Sequence, residues 1–264
     1  MLELTSGPVT ALLVGGCAFF GLLVGSFLNV VIHRVPRKES IVRPPSRCPG
    51  CGTQLKSRDN IPVLSWLLLR GRCRTCGEPI SARYPAVELV TAALFAVTAA
   101  RLGAVAALPA FLVVVAGLVA ISAVDLELYI VPNRILYPTL FLAAPLLLGA
   151  AAYDGDWTGA RTAAIGGAIG FGLLLVINLV SPAGMGFGDV RLAGLIGMIV
   201  GWLSVGEVFV ALFVAFLLAA VLGVLLIALG IKTRKDKVPF GPFLAGGAML
   251  AILFGSQILD WYRP

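Results

Sequence analysis

The sequence predicts an all-helical protein that crosses a membrane about eight times. Of its 264 residues, 59% are hydrophobic and only 12% are charged, and the mean hydropathy is +1.00. A soluble domain carries about twice that share of charged residues. Segments of about 20 apolar residues are long enough to cross a bilayer as helices. The predicted spans, of which the sixth is short, are residues 9–32, 85–100, 104–124, 135–152, 162–180, 190–203, 205–230 and 243–259.

The distribution of basic residues predicts the orientation of these spans. With eight spans and an outside N-terminus, all but three of the 20 Lys and Arg residues fall on the cytoplasmic side; the exceptions are Arg101, Arg161 and Arg263. An excess of Lys and Arg in cytoplasmic loops is the rule for membrane proteins. The formal net charge of +7 therefore needs no nucleic acid to explain it. A basic cytoplasmic face would also attract anionic lipid headgroups.

Two aspartates stand where membrane proteins rarely keep acidic residues. Asp125 closes the apolar run 111–125, and Asp189 ends the turn 184-GMGFGD-189 before another apolar run. An ionised carboxylate at the centre of a membrane helix costs roughly 2.5–3.5 kcal/mol on insertion scales, and less toward the interface. Two such residues suggest a carboxylate pair, which is the machinery of an aspartyl protease. The alternative is that each aspartate only caps a helix at the water boundary.

The one soluble insertion, about residues 33–83, contains four of the five cysteines. Cys48 and Cys51 form one Cys-x-x-Cys knuckle, and Cys73 and Cys76 form a second, each followed by glycine. Two such knuckles are typical of a four-cysteine zinc site, whose role is structural because four thiolates leave no open coordination position. A redox dithiol or a disulfide is the alternative, and disulfides are rare in a reducing cytoplasm.

Other candidate residues have simpler interpretations. His33 is the only histidine, so a Ser-His-Asp protease would have to use it, but no Gly-x-Ser-x-Gly motif is present. His33 is interpreted as a helix-end group. Asp154 and Asp156 are interpreted as solvated residues of an exterior loop, and Cys17 as a small apolar residue of the first span.

Eight sequence blocks in a fixed order resemble the bacterial type IV prepilin peptidases, which are leader peptidases and N-methyltransferases. The blocks are 25-GSFLNVVIHRVP-36, 48-CPGC-51, 59-DNIPVLSWLLLRGRC-73, 73-CRTC-76, 81-SARYPAVE-88, 125-DLELYIVPN-133, 184-GMGFGDVRLAGLIG-197 and 238-VPFGPFLAGG-247. The resemblance covers nearly the whole chain.

This resemblance implies that Asp125 and Asp189 are the catalytic pair of an intramembrane aspartyl peptidase of the Gly-x-Gly-Asp type. It further implies cleavage of prepilins or pseudopilins after a glycine, then methylation of the new N-terminus from S-adenosylmethionine. The implied location is the bacterial inner membrane, with the zinc module and the active site toward the cytoplasm. Components of pilus or type II secretion assembly are implied as further partners.

The resemblance also suggests a division of the chain. Residues 1–32 would be the first transmembrane helix, 33–84 the zinc-binding module associated with the methyltransferase, and 85–264 the membrane-embedded peptidase. Three alternatives stay open: a peptidase without methyltransferase activity, an ion-coupled transporter, and a zinc-ribbon scaffold of a secretion complex. Asp59, Glu78 and Glu88 are candidate contacts for a basic substrate leader.

Overall fold

A computed structural model describes residues 8–182, 185–231, 233 and 238–262. Gly184 lies outside these ranges, as do five of the 20 Lys and Arg residues counted above: Lys232, Arg234, Lys235, Lys237 and Arg263. The described chain is helical, apart from two isolated β-bridges. It divides into two compact units, Met1–Ala104 and Val105–Pro264, called unit 1 and unit 2 below. The functional division at residue 84 stays a prediction.

Unit 1 consists of two long helices with the cysteine-containing insertion between them. Helix α1 is Pro8–Arg34 and helix α3 is Arg83–Leu102, while the insertion contains only a 3₁₀ turn, Ser57–Asp59, and the short helix α2, Leu64–Leu68. Two glycines of α1 allow close packing against α3: a Cβ on Gly21 would lie 2.7 Å from the Ala92 Cα, and a Cβ on Gly25 would lie 2.7 Å from the Glu88 Cα. Small residues serve this purpose wherever membrane helices pack closely.

In the part of unit 2 that the structure describes, six helices form a bundle. They are α4, Leu108–Leu128; α5, Asn133–Asp154; α6, Thr158–Val180; α7, Phe187–Gly201; α8, Val205–Ala228; and α9, Gly241–Tyr262. Helix α4 packs against α5, α9 and α7, and α9 also packs against α7 and α8. Within this unit, most of the largest fully buried side chains belong to α4 and α7, with examples such as Phe111, Ile121, Leu192 and Ile196. These two helices therefore form the core of the unit.

The all-helical membrane architecture predicted from the sequence is confirmed. Within the described residues, seven helices are long and apolar enough to cross a membrane. The sixth predicted span corresponds to α7, which has only 15 residues. At 1.5 Å per residue such a helix is about 22 Å long, shorter than the roughly 30 Å hydrocarbon core.

Glycines also bring α6 and α7 together. Gly166 and Gly170 of α6 lie directly against the backbone of α7 at Gly197 and Ala193, so no Cβ could be added at either glycine without a clash. Gly172, on the same helix, has no neighbouring atom within 4 Å of an added Cβ. The close contact of α6 with α7 therefore depends on particular glycines and not on the glycine content of α6 as such.

We expect Gly166→Ala to destabilise the protein, because the added methyl group must push α7 away from α6. Overpacking of this kind typically costs about 1–3 kcal/mol. Gly172→Ala is the matched control, since it makes the same change where nothing is in the way. Thermal unfolding in detergent should show a lower midpoint for the first variant only, and equal midpoints would contradict the packing described here.

Candidate functional site

Asp125 lies near the C-terminal end of α4 and is 4% exposed. Its Oδ2 accepts a hydrogen bond of 2.8 Å from the backbone N–H of Gly241, 116 residues away and the first residue of α9. The positive end of the α9 dipole thus points at this carboxylate, an arrangement that stabilises negative charge. Asp125 does not cap its own helix; its carboxylate instead accepts from the first amide of α9.

Gly241 lies directly against the Asp125 carboxylate. A Cβ at this position would lie 2.9 Å from the Asp125 Oδ2, so a side chain would displace the carboxylate. Pro242 follows inside the first turn of α9, where proline is favoured because its missing N–H is not needed. The motif 239-PFGPF-243 thus starts a helix and directs its first amide at Asp125.

Asp189 lies in the first turn of α7 and is 9% exposed. Its Oδ2 accepts a hydrogen bond of 3.2 Å from the Gly186 N–H, and its own N–H donates a bond of 3.0 Å to the Gly186 carbonyl. Asp189 therefore does cap its helix, as the simpler interpretation expected. Capping alone requires neither burial nor a second carboxylate nearby, and Asp189 has both.

The two aspartates form a buried pair in unit 2. Helices α4 and α7 pack against each other and against α9, and the carboxylates are close enough to interact electrostatically. In the described part of the chain, no Lys or Arg forms an ion pair with either of them. Two carboxylates that interact without a compensating cation repel each other when both are charged.

The glycines before Asp189 allow close approach rather than an unusual backbone conformation. A Cβ on Gly188 would lie 2.8 Å from the Val131 Cβ, so the segment after α4 packs directly on the start of α7. Neither Gly186 nor Gly188 has a positive φ. Gly188 is therefore required by close packing against Val131.

Beside the pair, the other face of α7 lines a cavity of about 540 Å³ between α5, α6 and α7. Phe187 and Arg191 line this cavity, and each is two residues from Asp189, which places them on the opposite side of the helix. The Arg191 guanidinium donates to the Asn133 Oδ1 at 2.8 Å and lies 4.6 Å from the centroid of the Phe187 ring. This cation is therefore directed away from the aspartates.

The four cysteines of the insertion are brought together as predicted. The sulfur atoms of Cys48, Cys51, Cys73 and Cys76 all lie within 4.8 Å of one another. The Cys48 and Cys76 sulfurs are 3.7 Å apart, close to the spacing of about 3.8 Å that a tetrahedral ion with metal–sulfur bonds near 2.3 Å imposes. All four cysteines are free, so the disulfide alternative finds no support. This cluster could hold a metal ion.

The two knuckles have the same backbone design. In the first, the Gly52 N–H donates to the Cys48 carbonyl; in the second, the Gly77 N–H donates to the Cys73 carbonyl, both at 2.9 Å. Gly52 and Gly77 have φ of 69° and 73°, a left-handed conformation that glycine adopts without steric cost. The glycine after each knuckle is therefore required by the turn.

The surroundings of the sulfurs lower the pKa of two of the cysteines, whereas burial and hydrogen bonds with the other three cysteines raise the pKa of Cys76 to about 12. The Cys51 Sγ lies 3.3 Å from the Thr53 Oγ1. Hydrogen bonds from the Thr53 hydroxyl and backbone lower the pKa of Cys51 to about 6. Backbone hydrogen bonds from Cys76 and Thr75 lower the pKa of Cys73.

Two buried polar side chains of unit 1 hold its segments together, and of these only Glu88 was a candidate from the sequence. Glu88 is 7% exposed, and its Oε2 accepts a bond of 2.7 Å from the Val63 N–H. The Asn29 side chain, 4% exposed, donates to the Tyr84 carbonyl at 3.1 Å. These bonds tie the insertion and α1 to α3. Asn29 could have been found from the sequence, because it is a polar residue within the apolar run of α1.

The other candidate residues have structural partners or are exposed. Asp59, a suggested contact for a basic leader, pairs with Arg74 at 2.8 Å, and Glu88 is engaged by Val63 as described. His33 is exposed at the end of α1. The Asp156 Oδ1 accepts from the Thr158 N–H at the start of α6, and the Thr158 hydrogen bonds lower the pKa of Asp156.

Comparison with known proteins identifies the family. Residues 19–102 match the bacterial peptidase A24 N-terminal domain, and residues 112–228 match the type IV leader peptidase family. No solved structure shows a significant match.

Three relatives share the name prepilin leader peptidase/N-methyltransferase. The protein from Bacillus subtilis (strain 168) is 37% identical, covering 92% of this chain and 95% of the relative. The protein from Aeromonas hydrophila is 35% identical, covering 92% and 91%, and that from Dichelobacter nodosus is 36% identical, covering 97% and 96%. With this identity over nearly the full length, the chain is a multi-pass membrane protein that belongs to the type IV leader peptidase family.

Proposed function

We propose that the protein is an intramembrane aspartyl endopeptidase that removes the leader of type IV prepilins or pseudopilins and then N-methylates the new N-terminus. The observation that carries the peptidase half is the buried pair of Asp125 and Asp189, each held by the backbone amide of a helix N-terminus. The relatives' shared name supports both halves, because it combines a leader peptidase with an N-methyltransferase.

The pair supplies both an acid and a base. The ionised aspartate accepts a proton from a water molecule, and the protonated one donates a hydrogen bond to the scissile carbonyl. The water oxygen then bonds to the carbonyl carbon, and the leaving amine takes up a proton as the C–N bond breaks. The Gly241 and Gly186 amides both bind an Oδ2, which leaves Oδ1 of each carboxylate to reach the water or the peptide.

The position of the pair suits a substrate whose apolar helix lies in the bilayer. Asp125 is three residues from the end of α4, and Asp189 is in the first turn of α7. The charge distribution favours a cytoplasmic location for both of these helix ends. A prepilin with a basic leader at the cytoplasmic face would present its cleavage junction at this depth, in the bacterial inner membrane.

For the four-cysteine cluster we propose a structural zinc ion. Four thiolates in tetrahedral arrangement are a closed site without a position for substrate. The insertion has only one 3₁₀ turn and one five-residue helix, so a bound ion would contribute much of its folding free energy. Such sites contribute about 10–16 kcal/mol in small zinc modules.

For the N-methylation we propose S-adenosylmethionine as the methyl donor. Methyl transfer needs the free amine that cleavage generates, and it does not need the aspartate pair. Unit 1 coincides with the family's N-terminal domain, and we assign the methyl transfer to this unit. A peptidase without methyltransferase activity would cleave a prepilin without adding a methyl group, which mass spectrometry of the product distinguishes.

We expect either Asp125→Asn or Asp189→Asn to reduce prepilin cleavage at least about a hundredfold, since an amide cannot accept the proton from water. The losses should not add in the double variant, because the two residues act as a unit. The cleavage rate of the unmodified protein should follow a bell-shaped pH curve whose limbs belong to the pair.

Glu127→Gln and His33→Gln are the matched controls for this experiment. Glu127 is an exposed acid two residues from Asp125, and His33 is the only histidine. Both should keep cleavage and both limbs of the pH curve. A folded Asp125→Asn variant with near-normal cleavage would show that Asp125 is not catalytic.

The two activities should be separable. We expect Asp189→Asn to abolish cleavage while the variant still methylates a pilin that was cleaved beforehand. The measurement is the mass of the pre-cleaved substrate after incubation with S-adenosylmethionine. Loss of both activities in a variant with an unchanged unfolding temperature would argue against separate sites.

We expect one zinc ion per chain in protein purified without chelators, measured by elemental analysis. The Cys48→Ser/Cys73→Ser variant should lose the metal, because it removes one ligand from each knuckle. Cys17→Ser is the control, since Cys17 lies in α1 outside the cluster. Unchanged zinc content in the double variant would rule out this site.

A further inference from the structure

One peptide group links the end of α6 to Asp189. The Asn178 side chain donates from Nδ2 to the carbonyl of Met185 at 2.7 Å. The N–H of the next residue, Gly186, donates to the Asp189 Oδ2 at 3.2 Å. The carbonyl of Met185 and the N–H of Gly186 belong to the same planar group and point in opposite directions. A bond that orients one therefore orients the other.

Orientation of this peptide group is not guaranteed by the loop itself. Gly186 has no side chain that could restrict rotation on its side of the group, and α6 has already ended at Val180. If the group rotated by half a turn, its carbonyl oxygen would face the Asp189 carboxylate and repel it. The Asn178 amide opposes that rotation, because it holds the carbonyl on the far side.

Asn178 is an unusual residue for its position. It is half-buried in the last turn of α6, between the apolar residues Ile177 and Leu179. A half-buried amide is costly unless it is hydrogen-bonded, and the described bond of Asn178 is to Met185. This bond joins α6 to the loop before α7 and is not one of the hydrogen bonds within α6.

We propose that Asn178 is a positioning residue for the peptidase reaction. It fixes the peptide group between Met185 and Gly186, whose N–H binds the Asp189 carboxylate and so sets its orientation. Hydrogen bonds in series polarise one another, so the Asn178 bond also strengthens the bond from Gly186 to the carboxylate. This inference rests on the proposed aspartyl mechanism and adds a residue that does not touch the substrate.

The test compares Asn178→Leu, which removes the donor at similar size, with Asn178→Gln, which keeps an amide donor. Prepilin cleavage by the purified full-length protein gives kcat and KM, and the unfolding temperature and the methylation of pre-cleaved pilin report on folding. We expect Asn178→Leu to lower kcat ten- to a hundredfold, the range seen for small misplacements of catalytic groups. KM, unfolding temperature and methylation should stay unchanged, and Asn178→Gln should recover most of kcat.

Two outcomes would overturn the proposal. An unchanged kcat in Asn178→Leu would show that the peptide group is held without Asn178. A fall in unfolding temperature and methylation in proportion to kcat, with no recovery in Asn178→Gln, would assign Asn178 to helix stability alone. If Asn178→Leu does not fold, Asn178→Ala provides the same comparison.

The Asp189→Asn variant tests the aspartyl mechanism separately from the role of Asn178. If the aspartyl mechanism is wrong, Asp189→Asn will retain cleavage, whatever the result for Asn178→Leu. Normal cleavage by Asn178→Leu together with loss of cleavage by Asp189→Asn would instead preserve the aspartyl mechanism and remove only the positioning role.

Discussion

Burial of two like-charged carboxylates among apolar helices is the constraint on which the arrangement of unit 2 depends. Asp125 and Asp189 are 4% and 9% exposed, and backbone amides supply the hydrogen bonds that reach them. Amides at a helix N-terminus stabilise negative charge without adding a mobile cation. A lysine or arginine in the same place would favour the ionised form of both carboxylates, whereas the proposed mechanism needs one of them protonated.

Binding of the two carboxylates by backbone amides brings three helix ends together. The end of α4 carries Asp125, the start of α7 carries Asp189, and the start of α9 supplies the Gly241 amide. Glycines allow the necessary approach: Gly241 lies against Asp125, and Gly188 lies against Val131. The short length of α7 follows the same logic, because a helix that begins at the site does not need to cross the whole bilayer.

The insertion of unit 1 has little regular secondary structure to hold it together, so other contacts must stabilise it. Two turns of the same design present four sulfurs to one point. The bond from the Val63 amide to Glu88 then attaches the insertion to α3. Glu88 and the aspartate pair share one principle, because each buried carboxylate is satisfied by a backbone amide.

The sequence by itself determined the features that depend on local composition and spacing. Apolar length predicts membrane helices, the Cys-x-x-Cys spacing predicts the cysteine cluster, and the cost of an acidic residue in an apolar run marks Asp125 and Asp189. Only the tertiary structure decided which groups meet: Gly241 donates to Asp125 from 116 residues away, and Glu88 receives the Val63 amide from 25 residues away. Such contacts depend on how helices pack, and no local pattern around Asn178 or Gly241 specifies their partners.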